Sequence, residues 1–169
     1  MSTLSTTPVC RSCGTSLTHT LVDLGETPLA NSYVRPDEVA RQDAAYPLHA
    51  RVCTNCFLVQ VDEVVPPEAI FRDYAYFSSF SESWVAHAKS YAETAINRLR
   101  LDAKSLVAEV ASNDGYLLQH FVAQDIPVLG IDPALDAAEA ARKRGVRTKT
   151  EFFGRETAKS IRNTDGSAD

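Results

Sequence analysis

Ser105-Leu106-Val107-Ala108-Glu109-Val110-Ala111-Ser112-Asn113-Asp114-Gly115 reads as a short apolar strand running into a turn of small and turn-prone residues. Beyond it, the spacing of Leu117, Leu118, Phe121 and Val122 predicts one apolar face of a helix over residues 115–124. A second apolar strand, residues 128–131, follows. A helix over residues 135–144 comes next, closed by Gly145, the residue type that most readily turns left-handed after a helix. Residues 146–148 and 156–162 continue the series with a third strand and a third helix, before the polar tail 163–169. Strands alternating with helices predict an α/β unit with a parallel sheet and helices on its faces. Such strands are buried on both faces and need neighbours at their edges. Three are few for a doubly wound sheet, so the chain is expected to be a fragment or to work with a partner chain.

The turn after the first strand lies where a nucleotide-type cofactor sits in an open α/β sheet. Close backbone approach there needs small residues or residues that tolerate the left-handed region. Ala111 is small, Asn113 tolerates that region, and Gly115 takes it freely. Asp132 ends the second strand, 17 residues after Gly115, where a carboxylate can accept hydrogen bonds from ribose hydroxyls. A helix-opening G-x-G-x-x-G is missing, which counts against a dinucleotide and less against S-adenosylmethionine, a cofactor without phosphate. An ordinary strand–turn–helix with an Asn-Asp-Gly turn fits the same residues.

Upstream, Ser79 and Glu82 have capping-box spacing, and Trp84, Ala88, Tyr91, Ala92, Ala95 and Leu99 recur at helical intervals. An amphipathic helix covering one face of the sheet is expected. Residues 8–65 are short apolar stretches broken by turn residues. Strands are expected at 17–24 and 58–65, a turn at 25–28, and a boundary at Pro66-Pro67. The resulting division is a zinc-ribbon-like β module (1–67), a linker loop and covering helix (68–104), and an incomplete Rossmann-like domain (105–169).

Cys10-x-x-Cys13-Gly14 and Cys53-x-x-Cys56 use all four cysteines of the chain. Two C-x-x-C turns can bring four thiolates onto one tetrahedral Zn²⁺, and a closed four-thiolate site is structural rather than catalytic. Disulfides and unrelated buried thiols are the alternatives, and His49 is a conceivable substitute ligand. Residues 1–7 lack a charged start and an apolar run, so no secretory signal is expected. The expected compartment is the cytoplasm, where thiols stay reduced. A net charge of −5 argues against a nucleic-acid partner, which would need clustered cations. The one basic run, Arg142-Lys143-Arg144, reads as the solvated last turn of a helix. No apolar run is long enough to span a bilayer.

The sequence resembles the sugar C-methyltransferases of antibiotic deoxysugar pathways. The matching stretches are CRSCG (10–14), DLGETPLANSY (23–33), YPLHARVCTNCFLVQ (46–60), IFRDYAYFSSFSESWVAHAKSY (70–91), EVASNDGYLLQHF (109–121), VLGIDPA (128–134) and FFGRETA (152–158). The resemblance implies an S-adenosylmethionine-dependent methyltransferase with an N-terminal zinc-binding domain, acting on a nucleotide-linked keto-deoxysugar. By position it implies Cys10, Cys13, Cys53 and Cys56 as zinc ligands. Glu109, Ala111, Asn113, Asp114 and Gly115 fall in the cofactor loop, with Asp132 as its ribose-binding acid. Residues 74–79 match a loop that reaches over the active site, placing Ser78 and Ser79 at the cofactor and Tyr76 as the candidate for proton transfer or substrate contact. His87 is on the same helix as Trp84 and is a weaker candidate. Family members are well over twice this length and continue into a fourth strand and a C-terminal domain. Two other readings compete: a non-catalytic zinc-containing binding module, and a fragment of an NAD-dependent sugar oxidoreductase.

Overall fold

The computed structural model describes residues 7–40, 43–62, 65–71 and 74–169. The chain divides into two compact units, Met1–Ile70 and Phe71–Asp169.

In the first unit, β1 (His19–Pro28), β2 (Ala45–Val52) and β3 (Val59–Val61) form an antiparallel sheet in the order β1-β2-β3. The expected turn at 25–28 is instead part of β1. Asp23 Oδ1 accepts from the Gly25 N–H at 3.0 Å, and Gly25 has φ +71°. This local bond and the left-handed glycine make a bulge, and the register shifts between Asp23 and Glu26 without reversing the chain. β2 was not anticipated, although Tyr46, Leu48, Ala50 and Val52 alternate with Pro47, His49 and Arg51 at strand spacing; Pro47, which cannot donate to a ladder, obscures that signal. β3 is shorter than the predicted strand, whose residues 63 and 64 lie outside those described, as do residues 72 and 73 of the matched stretch 70–91 and residues 1–6 of the N-terminal segment. The short helix α1 (Pro67–Phe71) starts at Pro67, a residue suited to a first turn because it lacks an N–H to satisfy. Among the described residues, this unit's buried apolar side chains are only Cys10, Leu17 and Cys53.

In the second unit, α2 (Glu82–Leu99) precedes a parallel sheet of β4 (Val107–Val110), β5 (Val128–Ile131) and β6 (Thr148–Lys149), in the order β4-β5-β6. The α/β expectation holds, with β4 at the edge. The helices are α3 (Gln119–Val122), α4 (Leu135–Lys143) and α5 (Arg155–Asp165). The core joins Ala92 of α2 to Leu118, Phe121, Ile126, Val128, Ala141 and Val146. α2 is capped by Ser81, whose Oγ accepts from the Trp84 N–H at 3.3 Å; Ser79, the expected cap, bonds elsewhere. α3 is much shorter than predicted because residues 113–118 are drawn into turns.

Two glycines let the loop after β4 sit close to its neighbours. A Cβ on Gly130 would lie 2.5 Å from Ser112 Oγ and 3.0 Å from Thr148 Oγ1. A Cβ on Gly115, at φ +77°, would lie 3.0 Å from Val146 Cγ2 and 3.2 Å from Ala141 Cβ. Among the described residues, no helix is long and apolar enough to cross a membrane.

Candidate functional site

The first site is built by two matching turns. In one, the Gly14 N–H donates to Cys10 O at 2.8 Å and the Cys10 N–H donates to Thr15 O at 2.8 Å. In the other, the Phe57 N–H donates to Cys53 O at 3.0 Å and the Cys53 N–H donates to Leu58 O at 3.0 Å. Gly14 (φ +74°) and Phe57 (φ +61°) hold the same left-handed position, one residue past each cysteine pair. The turns bring the sulfurs of Cys10, Cys13, Cys53 and Cys56 within 4.8 Å of one another. Cys10–Cys56 and Cys13–Cys53 are 3.6 and 3.5 Å apart. A tetrahedron with metal–sulfur bonds of about 2.3 Å has edges of about 3.8 Å, whereas a disulfide requires about 2.05 Å.

The proton chemistry fits a cation. Hydrogen bonding with the Thr15 hydroxyl and from the Thr15 N–H holds the Cys13 thiol down at about 5. At Cys56 the Leu58 N–H favours the thiolate, but desolvation and the three neighbouring sulfurs together push the thiol up to about 11. The Cys56 thiol therefore resists ionising beside its neighbours, and a bound divalent ion removes that conflict. His49 is not in the cluster. Its Nε2 is 2.8 Å from Thr20 Oγ1, and the Arg51 guanidinium lies 3.1 Å from its Nδ1. Since Arg51 can only donate, Nδ1 accepts and Nε2 carries the proton, so His49 cannot serve as a base toward Thr20.

The second site lies at the carboxyl end of β4. Ala111 (φ +59°), Asn113 (φ +48°) and Gly115 (φ +77°) alternate through the left-handed region; the residue type announces it at Asn113 and Gly115, whereas Ala111 is marked only by its small size. Asp132, buried at the end of β5, accepts from the Asn113 N–H at 2.8 Å and from the Ala134 N–H at 2.9 Å. One lone pair on each oxygen remains for a ligand. The Asn113 side chain holds the upstream loop, accepting from the Ser78 N–H at 2.8 Å and donating to Tyr76 O at 2.9 Å. The Tyr76 ring is 44% exposed and packs edge-on against Tyr74, with centroids 6.5 Å apart.

Asp114 points inward. Its Oδ2 accepts from the Ser79 hydroxyl and lies 3.1 Å from Arg144 Nη1, while Arg144 Nη2 donates to Ser79 Oγ at 2.8 Å. The solvated basic turn expected at 142–144 is thus corrected. Arg144 pairs with a buried carboxylate, and Arg142 donates to Thr148 O at 2.9 Å. Sequence reasoning missed Arg144 because a helix-ending cation looks the same whether it meets water or a buried acid. Gln60 was missed too, although a polar residue between two valines in a strand was a signal. Its Nε2 donates to Cys10 Sγ at 3.2 Å.

Glu109, on β4, has an unpartnered buried oxygen, Oε2. Burial, reinforced by the charge of Asp132, pushes its carboxyl up to about 8, so it holds a proton at neutral pH. Ser112 Oγ and Asp114 Oδ1 are also buried without partners. Beside this loop, Trp84 stacks on His87 (centroids 5.4 Å apart) and tilts against Tyr116 (6.1 Å).

The four-thiol turn pair and the three-stranded parallel sheet together define a zinc-binding module followed by a partial Rossmann-like α/β unit. Residues 10–71 match a family model described as "Putative zinc binding domain". The chain is also similar to C-methyltransferase NovU of Streptomyces niveus, with 32% identity over 159 residues, 94% of this chain. It spans 38% of that relative's length. The chain is thus similar to part of a C-methyltransferase, and its residues 10–71 match the zinc-binding family model.

Proposed function

We propose that the chain is part of an S-adenosylmethionine-dependent C-methyltransferase acting on a nucleotide-linked keto-deoxysugar in a cytoplasmic antibiotic pathway. In this reading residues 1–67 are the metal module, 68–104 the covering segment and 105–169 the cofactor part. The observation that carries it is the loop 109–115 with Asp132, in a chain similar to a C-methyltransferase over most of its length.

The donor set suits the cofactor. Asp132 is held rigidly by two backbone N–H groups and keeps acceptor capacity for a diol. Glu109, on the neighbouring strand β4, offers an unpartnered buried oxygen, a polar group fit for a ligand rather than for the fold. When bound, S-adenosylmethionine supplies an electrophilic methyl group. The chain's part is to orient and to move protons. A carbon beside a ketone must lose a proton before it can attack, which requires a base and a donor for the enolate oxygen. Tyr76 is our candidate for one of these tasks, its backbone fixed by Asn113. Asn113 joins the cofactor loop to residues 76–78, Asp114 and Arg144 pin Ser79, and the four cysteines hold Zn²⁺ as a structural ion.

The test is calorimetric titration of the zinc-loaded chain with S-adenosylhomocysteine. Micromolar binding, weakened at least about tenfold in Asp132→Ala through loss of the ribose acceptor, supports the reading. Absence of binding by the folded chain favours a non-catalytic zinc-containing module, and a response to NADH instead favours an oxidoreductase fragment.

A further inference from the structure

The strand β3 inverts the usual pattern. Val59 and Val61 are 51% and 46% exposed, whereas Gln60 between them is only 6% exposed. Burying an amide is unfavourable unless its polar atoms are paired. Here both ends are used. Gln60 Oε1 accepts from the Arg11 N–H at 3.0 Å, and Nε2 donates to Cys10 Sγ at 3.2 Å. The orientation of the amide follows from chemistry, since a backbone N–H can be met only by the carbonyl end. The NH₂ group is therefore left facing the sulfur.

The placement links the two halves of the metal site. Gln60 pairs with Arg51 across the β2–β3 ladder, two residues before Cys53. Its side chain reaches back to the turn that carries Cys10 and Cys13. Four thiolates around a divalent ion leave a net charge of −2, by counting charges, and an N–H donor on one sulfur draws off part of that charge while fixing the sulfur's direction.

We infer that Gln60 is a positioning residue of the metal site: it orients the Cys10 thiolate, couples the two cysteine turns and sets the affinity for the ion. The inference rests on the metal site and is independent of methyl transfer.

Two variants of the full chain test it. Gln60→Leu removes both contacts. Gln60→Glu keeps the size and the acceptor for Arg11 but replaces the donor with a like charge beside the sulfur. Zinc affinity, measured by competition with a chromogenic chelator, is expected to fall about 10- to 100-fold in both, as for other outer-sphere partners of metal ligands. In the cobalt(II)-loaded variants the sulfur-to-metal charge-transfer bands should move to lower energy, because a thiolate without its donor gives up electrons more easily. A role confined to packing would not move those bands. Affinities within about twofold of wild type, with unmoved bands, overturn the inference. If neither variant folds, the unaltered chain decides. Loaded with a spin-active cadmium isotope, it should show a magnetic coupling between the metal and a Gln60 side-chain amide proton, transmitted through the hydrogen bond to sulfur. Absence of that coupling overturns the inference equally.

Discussion

The pair Asp114–Arg144 gives an asymmetric prediction, because its members differ in burial. The Asp114 side chain is 0% exposed and that of Arg144 33%, with 3.1 Å between the carboxylate and Nη1. Replacing Arg144 by Met strands the carboxylate in the interior, with the Ser79 hydroxyl as its remaining side-chain donor. Breaking a buried pair in this way costs about 3–5 kcal/mol. Replacing Asp114 by Asn leaves a guanidinium that water already reaches. The loss is then mainly one charge-assisted hydrogen bond, about 1.5–3 kcal/mol. The order Arg144→Met above Asp114→Asn is the prediction, and the double variant should cost less than the sum of the two. Urea unfolding followed by tryptophan fluorescence reads it cleanly, since Trp84 is the chain's single tryptophan and lies in the unit Phe71–Asp169. Equal costs, or the reverse order, would refute the view that the acid is the buried and dependent partner.

Removing the metal with a chelator should abolish the β1–β3 sheet while leaving the helices of the second unit, because Cys10, Leu17 and Cys53 make too small a core to hold the first unit. Far-ultraviolet circular dichroism and amide exchange would report both outcomes, and a protected sheet in the metal-free chain would contradict the reasoning. Stability of the second unit should also depend on pH through Glu109. Its carboxyl is raised in the folded state from 4.5 to about 8, so between those values the folded state binds more protons, and stability falls as pH rises, by at most about 1.4 kcal/mol per unit. His120 is lowered from 6.5 by burial and acts in the opposite sense below that value, so the window from 6.5 to about 8 isolates Glu109. Glu109→Gln should flatten the stability profile there, and an unchanged slope would show that another group carries it.

Some elements were legible in the sequence because a local rule settles them. Val128–Ile131 is a continuous apolar run between Pro127 and Asp132, and its buried strand has the predicted bounds. The four cysteines were legible because C-x-x-C spacing itself encodes the convergence of two thiols. Other elements escaped because tertiary contacts override local signals. Gly25-Glu26-Thr27-Pro28 has the composition of a turn, yet its pairing with β2 keeps it in a strand. The predicted helix at 115–124 shrank to Gln119–Val122, since the segment before it is shaped by bonds to Ile131 and Asp132 rather than by its own propensity. Gln60 and Arg144 act on residues 50 and 30 positions away, and no window of sequence displays such a pairing.

Asn113 shows what a turn gains when an asparagine stands where a glycine fingerprint would place a glycine. A glycine there would take the left-handed backbone equally well, but it could do nothing else. Asn113 takes that conformation at φ +48°, gives its N–H to Asp132, and spends both ends of its side chain on residues 76 and 78. Its backbone and side chain together therefore tie Asp132 to the loop that carries Tyr76. A ligand drawn to Asp132 would act on an oxygen that already fixes Asn113, and thereby on the backbone of residues 76–78. The turn after β4 trades the freedom of glycine for a polar joint, and its coupling to the upstream loop follows from that exchange.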